Sequence, residues 1–432
     1  MRWSRSTRWW RSLTEGTPTA PVPTVDSGAP VSLQDIRRAA QAGAGIVRQT
    51  PVVSSYTLSE RFGTNVVFKA ENLQRTGSFK LRGALAKITA LGDACARGVV
   101  TGSAGNHAQA VAYAARERGL RCEVFMPDTA PIAKVEAASA LGAVVHLGGG
   151  SVDETFAFAH ARAEEEGLAF VHPFDDPDVI AGQGGLGLEL LADVPDAARV
   201  IVPVGGGGLI SGVAIALKSQ RPEVSVIGVQ VETCAPFPAS LEAGEPVAVS
   251  SALTIADGIA VKRPGGLTLE LIKRWVDDIV VVEEDDVAEA MVFLMERAKL
   301  VVEGAGAVGV AALMSERVRP RGPGTTVVVL SGGNVDAGLL AEVARRHETQ
   351  AGRRLVLMAR LSDRPGSLAA LLALVAEQRA NLLDVQHIRE GIDLHVRETA
   401  VQLVLETRSR EHAEQVTSAI RQAGYADTRV SR

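Results

Sequence analysis

Between residues 31 and 348, short runs of β-branched and other apolar residues alternate with longer stretches whose apolar positions recur at helical spacing. The runs at 66–68, 99–101, 122–125, 200–204, 224–229, 279–282 and 325–330 have the length and composition of strands. Stretches 107–118, 153–166, 209–219 and 285–300 carry the i, i+3, i+4 apolar repeat of amphipathic helices. Strands alternating with helices predict an α/β body whose mostly parallel sheet is covered on both faces. In such sheets ligands bind beyond the carboxyl ends of the strands, and the glycine clusters of this chain fall there.

The rhythm changes after a polar stretch at 345–354, which reads as a break between two domains. Beyond it come a strand at 355–360, a loop at 362–366 and a helix at 367–378. Strands at 381–389 and 398–406, a helix at 410–423 and a last strand at 428–430 follow. This βαββαβ order predicts a small ferredoxin-like module, too poor in catalytic groups to be an enzyme and suited to an appended regulatory role. The expected domains are therefore 31–348 and 353–432. Residues 1–30 set Trp3, Trp9 and Trp10 among Arg2, Arg5, Arg8 and Arg11, then pass through Pro18, Pro21 and Pro23. No apolar segment follows the basic start, so a disordered tail is expected rather than a secretory signal.

Composition narrows the class. A net charge of -5 leaves no basic surface for a phosphate backbone, and aromatic residues at 4% offer few stacking platforms, so nucleic acid is not an expected partner. No run approaches the roughly 18 apolar residues of a membrane span. Cys95, Cys122 and Cys234 form no CxxC pair, which points to a reduced, cytoplasmic protein.

Four clusters carry candidate chemistry. In Thr76-Gly77-Ser78-Phe79-Lys80-Leu81-Arg82-Gly83-Ala84, small residues flank a lysine. An unprotonated lysine amine forms a Schiff base with an aldehyde; taken alone, this one also reads as an ordinary solvated lysine. In Thr101-Gly102-Ser103-Ala104-Gly105-Asn106-His107, after a strand and before a helix, exposed amides suit a carboxylate. The plainer reading is a capped turn in which Ser103 or Asn106 satisfies helix amides, with His107 structural. Val204-Gly205-Gly206-Gly207-Gly208-Leu209 again joins strand to helix. Four glycines in succession carry an entropic cost and let several amides converge on an anion, the alternative being a flexible turn. No Lys-Ser/Thr ending follows, so it is not a P-loop. In Leu330-Ser331-Gly332-Gly333-Asn334, the Ser331 hydroxyl suits a heterocyclic nitrogen as well as it suits an ordinary turn.

A fifth glycine cluster, Gly304-Ala305-Gly306-Ala307-Val308-Gly309, matches GxGxxG. It follows a helical stretch, and no acidic residue about twenty positions on would hold a ribose, so helix–helix packing through small residues is expected. No HExxH, cysteine zinc site or GxSxG elbow is present, and no metal site is expected.

Together and in this order, the four clusters resemble the threonine/serine dehydratase family of fold-type-II pyridoxal-phosphate enzymes. The resemblance spans 31–348 and includes Lys69-Ala70-Glu71-Asn72-Leu73-Gln74 and Ala181-Gly182-Gln183-Gly184. It is strongest toward single-chain threonine ammonia-lyases with one ACT domain, which the C-terminal module resembles through Asp363-Arg364-Pro365-Gly366. The resemblance implies two open, mostly parallel α/β lobes and pyridoxal 5'-phosphate as cofactor. It implies β-elimination of L-threonine to 2-oxobutanoate and ammonia, with L-serine giving pyruvate, as a committed step toward isoleucine. By the same resemblance Lys80 carries the cofactor and removes the α-proton, and Phe79 packs beside its ring. Gly205, Gly206, Gly207, Gly208 and the Leu209 amide hold the phosphate, Asn106 meets the ring hydroxyl, and Ser331 meets the pyridine nitrogen. Ser103, Ala104, Gly105, Asn106 and His107 hold the substrate carboxylate. An ACT domain implies an amino-acid effector, isoleucine or valine, near residues 363–366 and Asn381, and such relatives are homodimers or homotetramers.

Two departures bear on the rival reading, serine racemase. Racemases of the family carry a second serine where this chain has Ala104, and an acidic metal ligand where it has Gln230. Elimination therefore outranks racemisation. A serine-preferring dehydratase and a non-catalytic amino-acid sensor are the remaining readings; intact Lys80, glycine loop and Ser331 argue against the sensor.

Overall fold

The computed structural model describes residues 30–250, 253–390, 394–425 and 429–431, so the tail expected at 1–30 lies outside the described residues apart from Pro30. The chain forms two compact units that divide between Val335 and Asp336.

The N-terminal unit holds two sheets. One joins β1 (Val52–Ser54), β2 (Val66–Ala70), β7 (Ala197–Pro203), β8 (Ser225–Val231), β9 (Asp278–Val282) and β10 (Thr325–Leu330) in the order β1-β2-β10-β7-β8-β9. Only the β1–β2 pair is antiparallel. The other joins β3 (Val99–Gly102), β4 (Cys122–Met126), β5 (Val144–Leu147) and β6 (Ala169–Phe170) in the all-parallel order β5-β4-β3-β6. Every residue of β2, β8 and β10 is buried, the pattern of parallel strands covered on both faces. The cores differ in kind. Val200, Val202, Val226, Val327, Leu190 and Leu217 fill the larger lobe, while alanines 108, 110, 112, 114 and 115 let a helix pack closely on the smaller one.

A buried charge network fixes the helix Lys80–Leu91. Arg82 pairs with Glu71 at 2.7 Å and with Glu189 at 2.7 Å, and Lys69 reaches Glu189 at 2.7 Å. β2, that helix and the helix Pro177–Asp193 are thereby tied together directly behind Lys80. Such a network stabilises only while every member keeps its partners.

Three expectations are corrected. The helix expected over 285–300 is regular only across Glu284–Phe293; a π turn, Leu294–Ala298, follows, and Lys299 at φ 59° turns the chain into the left-handed region. The polar stretch 345–354 is no linker, since it is the end of the helix Ala337–Gln350 and the start of β11 (Arg354–Ser362). Only Val343 of that helix is buried, which accounts for its polarity, and the helix belongs to the C-terminal unit rather than to a body ending at 348. The glycines of GxGxxG pack against loop and sheet instead of another helix. A Cβ on Gly304 would lie 2.3 Å from the Ile255 carbonyl, on Gly306 2.6 Å from the Gly332 carbonyl, and on Gly309 2.6 Å from Val328.

The C-terminal unit adds β12 (Asn381–Ile388), β13 (Glu398–Glu406) and β14 (Arg429–Ser431), in the antiparallel order β12-β13-β11-β14. With the helices Ser367–Glu377 and Arg410–Gln422 this is the predicted βαββαβ ferredoxin-like fold. Leu355, Leu357, Leu371, Val375, Leu403, Val416 and Ile420 form its core.

Candidate active site

The two sheets of the N-terminal unit flank a cavity of about 830 Å³. Phe79, Lys80, residues 103 to 107, Gly205 to Gly208, Leu209 and Ser331 all line it, so the four separate sequence clusters meet in one place. They do so because each ends a parallel strand or starts the helix after it.

Lys80 opens its helix behind Phe79, and its Nζ donates to the Pro173 carbonyl at 2.9 Å. Burial holds the amine down to about 8, a shift partly opposed by Glu303, which brings its deprotonation within reach of neutral pH. The Phe79 ring centroid lies 5.3 Å from that nitrogen.

The glycine turn is walled closely on one side. A Cβ on Gly206 would lie 2.2 Å from the Phe174 ring, and one on Gly208 would lie 2.8 Å from the Phe174 carbonyl. Gly207 adopts φ 93°, which side chains resist, and Phe237, Ile272 and Thr268 close its far side. Among the described residues, none of the amides from Gly205 to Leu209 donates to a backbone carbonyl. These amides open the helix Gly208–Lys218, where an anion is favoured.

The turn before the helix Asn106–Glu117 is not a capping turn. Gly105 is the N-cap and no side chain caps the helix; among the described residues, Ser103 Oγ accepts from the Gly105 amide alone, at 3.2 Å. Ala104 packs against the core of the smaller lobe. The His107 ring is tied by Nε2 to the Val171 carbonyl at 2.9 Å, and burial with nearby Lys80 pushes it down to about 3. It is therefore neutral and structural, which leaves its part of the loop with backbone chemistry.

Asn106 is oriented from two sides. Its Nδ2 donates to Glu303 Oε1 at 2.7 Å, and its Oδ1 accepts from Asn334 Nδ2 at 2.7 Å. Glu303 did not emerge from the sequence. It directly precedes the GxGxxG segment, and the π turn with Lys299 redirects the chain before it. Its only signal is an acid at the foot of an otherwise apolar helix. Burial, reinforced by Asp257, pushes its carboxyl up to about 7, against the lowering effect of the Asn106 hydrogen bond. The buried Ser331 hydroxyl has only a 3.5 Å contact with the Ala305 carbonyl, which leaves it able to donate elsewhere. Gln230, where racemases of the family carry an acidic metal ligand, is fully buried; it donates to the Val204 carbonyl at 3.2 Å and accepts from the Phe237 amide at 3.0 Å.

The model of the family described as "Pyridoxal-phosphate dependent enzyme" matches residues 44–332. The L-threonine ammonia-lyase of Thermotoga maritima is 45% identical over 396 residues, covering 91% of this chain and 98% of the relative. Among solved structures, maize serine racemase matches with a TM-score of 0.70 at 36% identity, covering 74% of this chain and 99% of that one. The processed form of threonine deaminase isoform 2 from Solanum lycopersicum matches with a TM-score of 0.68 at 33% identity, covering 76% and 98%.

The cavity fits the cofactor of that family. A phosphate needs convergent free amides without bulky side chains, and the glycine turn offers them. An aldehyde needs a desolvated amine, and Lys80 offers one. A pyridine nitrogen needs an unengaged donor, which the Ser331 hydroxyl supplies. With the family model spanning most of its length and this donor set in place, the chain belongs to the pyridoxal-phosphate dependent enzymes.

Proposed function

We propose that the protein eliminates water and then ammonia from L-threonine to give 2-oxobutanoate, with Lys80 as the cofactor lysine and the base. The observation that carries this reading is the buried, partly unprotonated Lys80 amine at the centre of a cavity closed by the glycine turn and Ser331. Near-full-length similarity to an L-threonine ammonia-lyase supports the substrate.

Bound pyridoxal phosphate supplies the electron sink for the pair left when the Cα–H bond breaks. The protein supplies position and proton transfer. Gly205, Gly206, Gly207, Gly208 and the Leu209 amide would receive the phosphate, and the remaining Asn106 amide hydrogen would meet the ring hydroxyl. The amides of Ala104, Asn106 and His107, which donate to no backbone carbonyl among the described residues, would hold the substrate carboxylate and so present the α-hydrogen to Lys80 Nζ. Ser331 is neutral, so its hydroxyl would meet the ring nitrogen as a hydrogen-bond partner rather than as a counter-charge. Loss of water and its later uptake cancel, so one threonine yields one 2-oxobutanoate and one ammonia.

Serine differs by one methyl, worth roughly 1–3 kcal/mol in an apolar pocket, and is expected to react as well. Racemisation needs a second acid/base group on the opposite face, and Ala104 has no hydroxyl to provide it. None of the three cysteines forms a disulfide and all are buried, in keeping with a cytoplasmic enzyme. No described helix is long and apolar enough to cross a membrane. We assign the C-terminal unit as an ACT domain that binds isoleucine or valine. The helix Ser367–Glu377 starts without a side-chain cap after Gly366 at φ 91°, which leaves amides for an effector carboxylate, and Asp363 is held toward Arg389 at 2.7 Å. A catalytic domain at 31–348, less the helix that joins the C-terminal unit, a regulatory domain at 353–432, and a homodimer or homotetramer are part of this proposal.

The test is keto-acid release from L-threonine and L-serine by the holoenzyme beside Lys80→Ala. Rapid 2-oxobutanoate formation that vanishes in the variant supports the reading, and pyruvate from serine alone changes the substrate. Absence of both products with cofactor bound sinks it. Millimolar isoleucine or valine that leaves activity unchanged sinks the effector assignment.

A further inference from the structure

The turn between β6 and the helix Pro177–Asp193 carries four residues, His172, Pro173, Phe174 and Asp175, that the sequence clusters did not include. It touches both ends of the cofactor site. The Pro173 carbonyl accepts from Lys80 Nζ at 2.9 Å. The Phe174 ring and carbonyl are the wall that Gly206 and Gly208 must avoid, at 2.2 and 2.8 Å from their would-be Cβ atoms. Asp175 Oδ1 accepts from the Thr268 amide at 2.9 Å, and Thr268 in turn closes the far side of Gly207.

Within the turn itself, the His172 side chain bonds two backbone amides. His172 Nδ1 accepts from the Phe174 amide at 3.2 Å and from the Asp175 amide at 2.8 Å. Two donors converging on one ring nitrogen require that nitrogen to be unprotonated, so the proton sits on Nε2. The ring is gripped edge-on by Phe174 at 4.7 Å and by Phe156 at 5.7 Å.

We propose that His172 is a positioning residue of the active site: its Nδ1 fixes the turn whose Pro173 carbonyl aims the Lys80 amine and whose Phe174 backs the phosphate cradle. A neutral amine has two hydrogens and one lone pair. Donating one hydrogen to a fixed carbonyl restricts where the lone pair points, and a base whose lone pair is misdirected loses rate even when substrate binds. Because the same turn shapes the cradle, one substitution should disturb amine and phosphate site together. The inference rests on Lys80 being the cofactor lysine.

The experiment compares holoenzyme of wild type, His172→Leu and His172→Asn. Leucine fills similar space without an acceptor, whereas asparagine accepts amide hydrogens two and three residues on, as in an Asx turn. For His172→Leu, kcat should fall about 10- to 100-fold, the size expected of a small misplacement, while KM changes far less. Its cofactor affinity should weaken by about tenfold, and the visible circular dichroism of the bound cofactor should change. His172→Asn should recover most of both. A His172→Leu enzyme with wild-type kcat, affinity and dichroism would overturn the proposal. So would a folded His172→Asn enzyme with a kcat about tenfold or more below wild type, and that arm stands even if the leucine variant does not fold. Borohydride reduction and peptide mapping keep the two readings apart. Cofactor fixed to a residue other than Lys80 in wild type overturns the lysine assignment, and this inference with it. Label on Lys80 with unaffected His172 variants overturns this inference alone.

Discussion

The turn from Gly205 to Leu209 is assembled from five consecutive residues, whereas the polar node around Asn106 draws Glu303 and Asn334 from 197 and 228 residues away. The first works through backbone amides at a helix start, and its side chains matter by being absent. The second works through three side chains that hold one another, with a carboxyl whose ionisation depends on burial and on Asp257. Both are closely packed, since a Cβ on Gly332 would lie 2.3 Å from Glu303 and one on Gly77 2.2 Å from Asn334, but only the side-chain node holds a group that responds to pH.

Substitutions that separate volume from charge test this contrast. The largest effect is expected at Gly206→Val, where added carbons meet Phe174 within 2.2 Å. Apo protein should fold yet fail to take up cofactor at any pH, read by its visible absorbance; retained uptake would mean the wall yields. Next is Glu303→Gln, which keeps the acceptor for Asn106 and removes the charge. Glu303 is pushed up to about 7, so the folded protein retains a proton that the unfolded chain releases between the ordinary carboxyl range and that value. Its contribution to stability is therefore lost as pH rises toward 7. The glutamine variant should gain about 2 to 3 kcal/mol over wild type at pH 8 relative to pH 5, measured by urea unfolding. An equal gain at both pH values would show that the carboxyl is already ionised at pH 5.

Asn106→Ala removes one of the two partners of the Asn334 amide, which keeps the Thr76 carbonyl at 2.8 Å, and one hydrogen bond from the Glu303 carboxyl. Each lost hydrogen bond is worth about 0.5–1.5 kcal/mol, and kcat/KM should fall by about tenfold. An unchanged rate would show that Glu303 and Asn334 hold the node without Asn106. The smallest effect is expected at Ser331→Ala. Its hydroxyl has only a 3.5 Å contact in the protein, so stability should be unaltered and cofactor affinity reduced by a few-fold, about 0.5–1.5 kcal/mol. A drop in thermal midpoint instead would make Ser331 a structural group.

Legibility followed the same division. Strand and helix runs were readable because apolar periodicity is local, and 325–330 and 398–406 match β10 and β13 to the residue. The glycine turn was readable because four adjacent glycines have few other uses. The end of the regular helix at Phe293 was not readable, since nothing in Leu294, Met295, Glu296, Arg297 or Ala298 marks a π turn and Lys299 is no usual left-handed residue. His172 and Phe174 were passed over for a related reason. A histidine that accepts two amides looks in sequence like any histidine before a proline.

By itself the sequence determined the α/β alternation, the ferredoxin-like module and the four clusters, and the family they resemble implied the kind of cofactor chemistry. These depend on neighbours along the chain, whose spacing the covalent backbone sets. Only the tertiary structure decided that Glu303 and Asn334 orient Asn106, that His107 is neutral and turned to Val171, and that one turn at 172–175 serves both Lys80 and the glycine cradle. Those outcomes depend on burial and on contacts between distant segments, and a carboxyl or imidazole takes its charge state from surroundings that exist only once the chain has closed around it.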